Sequence, residues 1–253
     1  MTSLIGQHAI VTGGGSGIGR AIAAALVRAG ARVTIAGRRA EALAETAALH
    51  GGIEAVPADV TDERAVARLF DAAIAARGPV DVVVANAGRA ASAPFARTSL
   101  AEWSDAIAVN LTGVFLTARA ALRAMDGRTG GRIIFIASTA ALKGYPYVAP
   151  YCAAKHGVVG LARALALETA KSGVTVNAVC PGYTETPLLD TAVAMIAAKT
   201  GRSQDEARAS LARSNPQGRL VTPEEVAATV LWLAGPEARS ITGQAIAVAG
   251  GEL

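Results

Sequence analysis

The apolar residues fall into two kinds of run that take turns along the chain. Short continuous stretches rich in Val, Ile and Ala occupy 8–12, 32–36, 53–57, 81–85, 131–137, 174–179 and 245–248. Unbroken runs of this length fit strands covered on both faces, as in a parallel sheet. Between them, apolar residues recur at helical spacing over 20–29, 40–49, 62–77, 100–125, 150–170 and 223–234. Gly30 stops the first helix, and Asp62 is placed to cap the third. Strands separated by helices of this length are βαβ units. The pattern predicts an α/β fold: one domain over 1–253, a doubly wound parallel sheet flanked by helices. No repeat, low-complexity tract or linker interrupts it. Over about 188–219 the periodicity loosens into two short helical pieces around Thr200-Gly201-Arg202-Ser203. Following the sixth strand, these read as a small helical lid.

In open α/β sheets ligands bind beyond the carboxyl ends of the strands. Gly13, Asp59, Asn86, Ser138 and Pro181-Gly182 all stand at such ends. The first strand runs into Gly13-Gly14-Gly15-Ser16-Gly17-Ile18-Gly19 and then a helix. Glycines let backbone approach a pyrophosphate, and a helix N-terminus offers free N–H groups and a favourable dipole. The spacing is Gly-x-x-x-Gly-x-Gly, not Gly-x-Gly-x-x-Gly, and a plain surface turn is the competing reading. Pro150 opens a helix that places Tyr151 and Lys155 one turn apart on one face. A fixed cation beside a phenol favours the phenolate and lowers its pKa toward a useful acid/base range. Ser138 would hold a substrate oxygen against that phenol. Tyr-x-x-x-Lys pairs are common on helix surfaces, so this one draws its meaning from the other strand ends. Asn110, on a largely apolar helix, reads from pattern alone as a satisfied core polar group.

The second strand ends at Gly37, where a carboxylate would bond the ribose of NAD and repel the extra phosphate of NADP. Arg38 and Arg39 follow, and a guanidinium can clamp a phosphate with two charge-assisted bonds. This favours NADP(H) over NAD(H). Against it, Arg38 facing water explains the residue as well, and Ser16 stands where a second basic marker would be.

Composition narrows the class. The chain has 253 residues, 52% hydrophobic and 17% charged, which suits one large core and excludes a disordered segment. No apolar run reaches the roughly 18–20 residues of a membrane span, and the first strand follows Met1 too closely for a signal peptide. Cys152 and Cys180 make no disulfide framework. A cytoplasmic protein with no membrane partner is expected. The net charge of +4 is scattered, without the basic stripe or reading motif of a nucleic-acid binder. His8, His50 and His156 lack metal-ligand spacing, so no metal is expected.

Thr12 to Gly19, Asn86-Ala87-Gly88, Asn110, Ser138, Tyr151-x-x-x-Lys155 and Pro181-Gly182, in this order, resemble the short-chain dehydrogenases/reductases over essentially the whole chain. The stretches 151–160 and 179–187 look most like 3-oxoacyl-thioester and polyketide ketoreductases. The resemblance implies a seven-stranded Rossmann-type sheet and an NAD(P)-dependent exchange between a ketone and a secondary alcohol. It implies Tyr151 as acid/base, with Lys155 lowering its pKa and holding the nicotinamide ribose. Ser138 would orient the carbonyl and Asn110 would hold a relay water, which replaces the pattern reading of Asn110. Gly13, Gly15, Ser16, Gly17, Ile18, Gly19 and Arg38 would line the dinucleotide's phosphates. Asp59 and Val60 would flank the adenine; Asn86, Ala87, Gly88, Pro181, Gly182, Thr184 and Thr186 would line the rest of its channel. A homotetramer is implied as well. Ala85, Thr184 and Ala249 depart from the family pattern, where asparagine, an aliphatic residue and aspartate are usual.

The substrate class expected is a CoA- or carrier-linked 3-oxoacyl thioester, with Arg202, Arg208 and Arg213 of the lid meeting the carrier's phosphates. A free cyclic or aromatic ketone or alcohol is the alternative. A silent dinucleotide-binding sensor is the reading from another class, opposed by the joint presence of Ser138, Tyr151 and Lys155.

Overall fold

Side chains alternate across each strand, and that alternation builds two cores. In the computed structural model, which describes residues 2–253, the strands are β1 (His8–Thr12), β2 (Arg32–Gly37), β3 (Ile53–Pro57), β4 (Val82–Ala85), β5 (Gly131–Ile136), β6 (Val174–Pro181) and β7 (Ala245–Val248). Ile10, Val83, Ile133, Phe135 and Val176 point into one cluster, and Ala9, Val11, Val84, Ile134 and Val179 into the other. The first cluster is closed by α3 (Glu63–Arg77), α5 (Gly113–Ala124) and α6 (Ala149–Thr169), through Leu69, Phe70, Val114 and Val158. The second is closed by α1 (Gly17–Arg28), α2 (Ala40–Leu49) and α9 (Pro223–Ala234), through Ile22, Leu26, Leu43 and Val230. Each aliphatic side chain taken fully out of water contributes about 1.5–3 kcal/mol before chain entropy is charged against it.

All seven strands are parallel, in the order β3-β2-β1-β4-β5-β6-β7. The order reverses between β1 and β4, the crevice where open sheets bind ligands. Register pairs Thr12 with Ala36, Ile136 with Val179 and Pro181 with Val248, so the carboxyl ends share one rim. The predicted strands and helices agree with the structure to within three residues at their ends. Asp62 does cap α3, its carboxylate accepting from the Arg64 amide at 2.8 Å. After β6, α7 (Pro187–Thr200) and α8 (Gln204–Ala212) pack on each other through Leu189, Val193 and Ala207.

One helix is not as expected. The stretch 100–125 is not continuous: α4 (Leu100–Ile107) and α5 are joined by a π-helical turn, Ala108–Thr112. The Asn110 side chain supplies the reason. Its Nδ2 donates to Ala106 O at 3.0 Å, the carbonyl that the backbone of Asn110 would take in an α-helix. A side chain that competes for the carbonyl one turn back disturbs the helical ladder. Leu100–Ala124 is also long and apolar enough to cross a membrane. Its residues Val114, Leu116, Ala118 and Ala121 are instead buried in the first cluster, which makes it a core helix.

Candidate active site

A cleft of about 640 Å³ follows the rim from the glycine turn, past the β5 end, to α7. Gly13, Gly15, Ser16, Gly17, Ile18 and Gly19 line its first part. Gly19 has no room for a side chain: a Cβ there would lie 2.2 Å from Gly13 O and 2.5 Å from Asn86 Nδ2. Gly13 and Gly17 take φ of +68° and +50°, in the left-handed region that glycine enters without strain. Ser16 begins α1 without a side-chain capping bond, so the first amides of the helix are left for a ligand. This donor set fits a dinucleotide pyrophosphate.

Asn86 shapes the turn from beneath. Its Nδ2 donates to Thr12 O at 2.9 Å and to Gly13 O at 3.3 Å. Thr12 Oγ1 accepts from the Asn86 and Ala87 amides at 3.0 and 3.2 Å. Thr12 was not singled out from sequence; a hydroxyl closing an otherwise apolar strand was the available signal. Gly37, Arg38, Asp59 and Val60 line the same cleft. Asp59 Oδ1 accepts from the Thr61 amide at 2.9 Å and hydroxyl at 2.8 Å. The Thr61 amide does most to hold its carboxyl below the usual range, and the Arg38 guanidinium adds to this. Arg38 is exposed, and no acid stands at the β2 end.

At the other end, Ser138, Tyr151 and Lys155 meet. Ser138, just beyond β5, caps a short turn by accepting from the Ala140 amide at 3.1 Å, and it lines the cleft together with Tyr151. Lys155 is 3% exposed; its Nζ donates to Ile136 O at 2.7 Å and lies 5.6 Å from the centre of the Tyr151 ring. Gly88 brings in a further group: a Cβ on it would sit 3.0 Å from Asn110 Oδ1 and 3.7 Å from Lys155 Nζ. Asn110 is fully buried, and its side chain bridges the backbone of Arg89, accepting from N at 3.1 Å and donating to O at 2.9 Å.

The electrostatics correct one expectation. Burial pushes the Tyr151 phenol up to about 12, with only the Ser138 side chain pulling it back. Burial brings Lys155 down to about 8. The ammonium does not lower the phenol here because it is turned to the Ile136 carbonyl. Both groups therefore hold their protons at neutral pH.

Pro181, Gly182, Thr184 and Thr186 line the cleft beside this centre. Thr184 Oγ1 donates to Gly182 O at 2.9 Å, and Thr186 Oγ1 caps α7 by accepting from the Leu189 amide at 3.3 Å. The lid arginines do not reach the site. Arg202, Arg208 and Arg213 are absent from the lining, and Arg208 pairs with Asp190 at 2.5 Å. Arg38, Arg39 and Arg89 line the cleft instead, Arg89 paired with Asp105. Tyr145, Tyr183, Leu188, Met195 and Ile196 line the cleft as well, and the sequence assigned a role to none of them.

Known proteins are similar to this chain over nearly its whole length. The granaticin polyketide synthase putative ketoacyl reductase 1 of Streptomyces violaceoruber is 41% identical over 249 residues, spanning 96% of this chain and 92% of that one. The 3-oxoacyl-[acyl-carrier-protein] reductase of Vibrio cholerae is 37% identical over 251 residues, spanning 98% of each. Cis-4-hydroxycyclohexanecarboxylate dehydrogenase of Sinomonas cyclohexanicum is 43% identical over 249 residues, spanning 96% of this chain and 95% of that one. Among solved structures, a variant of actinorhodin polyketide ketoreductase with NADPH superposes with a TM-score of 0.93 at 41% identity, covering 97% of both chains. Residues 7–197 match the model of the short chain dehydrogenase family, and with a glycine cradle, a Ser-Tyr-Lys cluster and one parallel sheet between them, this chain belongs to that family.

Proposed function

We propose that this protein, an oxidoreductase interconverting a ketone and a secondary alcohol, acts on 3-oxoacyl or 3-hydroxyacyl thioesters with NADP(H) as its cofactor, and that Ser138, Tyr151 and Lys155 carry the chemistry with Asn110 beside them. The observation that carries this is the placing of Ser138 and Tyr151 on one cleft lining beside a buried Lys155, in the same cleft as the glycine turn. A bound nicotinamide would supply the hydride to the carbonyl carbon in reduction, or accept it from the carbinol carbon in oxidation. Ser138 and Tyr151 together bind the carbonyl oxygen, two donors aimed at the atom where negative charge develops. Tyr151, protonated until then, gives its proton to that oxygen. Lys155, buried beside the Tyr151 ring, would hold the nicotinamide ribose with its ammonium. Asn110 pins the Arg89 backbone and, with Gly88, fixes the floor beside Lys155.

Since Lys155 titrates near 8 in the free enzyme, kcat/KM for ketone reduction should fall as pH rises through about 8 and the cation is lost. A profile flat to pH 10 would remove Lys155 from the mechanism.

Cofactor choice rests on Gly37 and Arg38. With no acid at the β2 end, nothing repels a 2′-phosphate, and Arg38 lies on the lining where that phosphate would arrive. Arg38→Ala should raise KM for NADPH about tenfold, a charged bond of about 1.4 kcal/mol, and leave NADH nearly unchanged. Equal effects on both cofactors would contradict the reading.

The substrate is tested by comparing kcat/KM for 3-oxoacyl thioesters, simple ketones and cyclic alcohols. The thioester reading draws on relatives named as ketoacyl and 3-oxoacyl reductases, not on the lid arginines. If a free cyclic alcohol outperforms every thioester, the alternative suggested by the Sinomonas relative takes its place. The same proposal has one functional domain with residues 188–219 as its lid, assembled as a cytoplasmic homotetramer; sedimentation of the purified protein checks the assembly.

A further inference from the structure

The penultimate residue reaches the active site from behind. Glu252 has a side chain 2% exposed. Its Oε1 accepts from the Tyr145 hydroxyl and lies 3.0 Å from Lys143 Nζ, which also donates to Glu252 O at 3.2 Å. The Tyr145 hydroxyl is held from its other side by Thr139 Oγ1 at 2.7 Å. Thr139, Lys143 and Tyr145 all belong to the connection between β5 and α6, residues 137–148, which carries Ser138 and leads into the first turn of α6 with Tyr151. The Tyr145 ring lines the cleft and meets Tyr183 edge-on, with centroids 6.1 Å apart. One carboxylate thus ties down the loop that carries the serine and leads to the tyrosine, and holds an aromatic residue of the cleft wall.

Stability alone does not account for this arrangement. Glu252 Oε2 is buried with no hydrogen-bond partner among the described residues, and it faces Gly182, where a Cβ would stand 3.1 Å away. A buried ionic group with an unsatisfied oxygen is poor value for folding energy, and placing a neighbour is one attested reason to keep it. The tail is also clasped from the lid side: a Cβ on Gly250 would overlap Asn215 Oδ1 at 2.0 Å, just beyond α8.

The geometry points to Glu252 as a positioning residue for ketone reduction, acting through Tyr145 to set the substrate wall and the spacing of Ser138 and Tyr151. The inference rests on the active-site reading given above. Tyr145→Phe and Glu252→Ala should each lower kcat/KM for a bulky ketone about tenfold, mostly through KM, with dinucleotide Kd held within about twofold. The double variant should be no worse than the poorer single, because both break one link. Glu252→Gln keeps an acceptor for the Tyr145 hydroxyl and should recover most of the loss. Additive losses, unchanged kinetics in both singles, or an equal loss of dinucleotide affinity would overturn the inference. Should Glu252→Ala fail to fold, Tyr145→Phe compared with Glu252→Gln decides on the same criteria. Hydrogen exchange separates this from the activity itself. Even if the wild type reduced no carbonyl compound, faster exchange over residues 139–148 in Glu252→Ala, with the glycine turn unchanged, would sustain the positioning role. Exchange unchanged over that loop would end it.

Discussion

Tyr151→Phe should abolish turnover while leaving the dinucleotide bound. The ring, the fold of α6 and the glycine cradle all survive the change; only the hydroxyl on the cleft lining is lost. General acid–base catalysis by a placed side chain is worth about 10²–10⁴-fold, so kcat should fall by at least that range. No neighbour can substitute. Tyr145 has its hydroxyl committed to Thr139 and Glu252, and burial together with the Glu252 bond pushes its pKa up. Tyr147 is 63% exposed, and neither has a lysine four residues on. Turnover near the wild-type level would remove Tyr151 from the mechanism. A loss of dinucleotide binding as large as the loss of turnover would show that the ring's role is structural.

The second large effect is expected at Gly19, far from the proton chemistry. Gly19→Ala drives a methyl group into Gly13 O, 2.2 Å away, and Asn86 Nδ2, 2.5 Å away. Neither can yield easily. Gly13 O is backbone of the cradle, and Asn86 is held to Thr12 by hydrogen bonds. Overpacking against atoms that cannot retreat costs about 3 kcal/mol, which for a chain of this size is a fall in Tm of roughly 6–12 °C. Because the strain is released by opening the turn, dinucleotide Kd should rise by more than about tenfold. Calorimetry and titration on the same variant check both. A variant that melts and binds like the wild type would mean that α1 can slide away from β4, contrary to the packing described.

These residues differ in how they could be read from sequence, and the difference is physical. Gly13, Asp59, Asn86, Ser138 and Gly182 were legible because each ends an apolar run, and in a parallel sheet every such run ends on the same rim. Tyr151 and Lys155 were legible because one helical turn fixes their separation. Direction is another matter. Periodicity places Lys155 beside Tyr151 but says nothing of Ile136 O, nineteen residues earlier, which takes the ammonium. The same holds at Asn110, where the pattern reading of a satisfied buried amide and the expectation of a site residue meet in one side chain. Its bonds to Arg89 satisfy it, and the π turn it induces stands at the cleft floor. Composition suggested that lid arginines would face a carrier's phosphates. Asp190 pairs with Arg208, an outcome set by how α7 and α8 fold on each other. Glu252 was beyond reach: its contact with Tyr145 spans 107 residues, and no local rule links a chain's end to a loop.

The most direct measurement mixes the purified protein with NADPH and a 3-oxoacyl thioester, following nicotinamide oxidation by absorbance and the acyl product by mass. The account predicts one 3-hydroxyacyl thioester formed for each NADPH consumed, and no consumption by Tyr151→Phe under the same conditions. Tight NADPH binding with no oxidation by any thioester, free ketone or cyclic ketone would contradict it, and would leave a dinucleotide-binding protein in place of an enzyme.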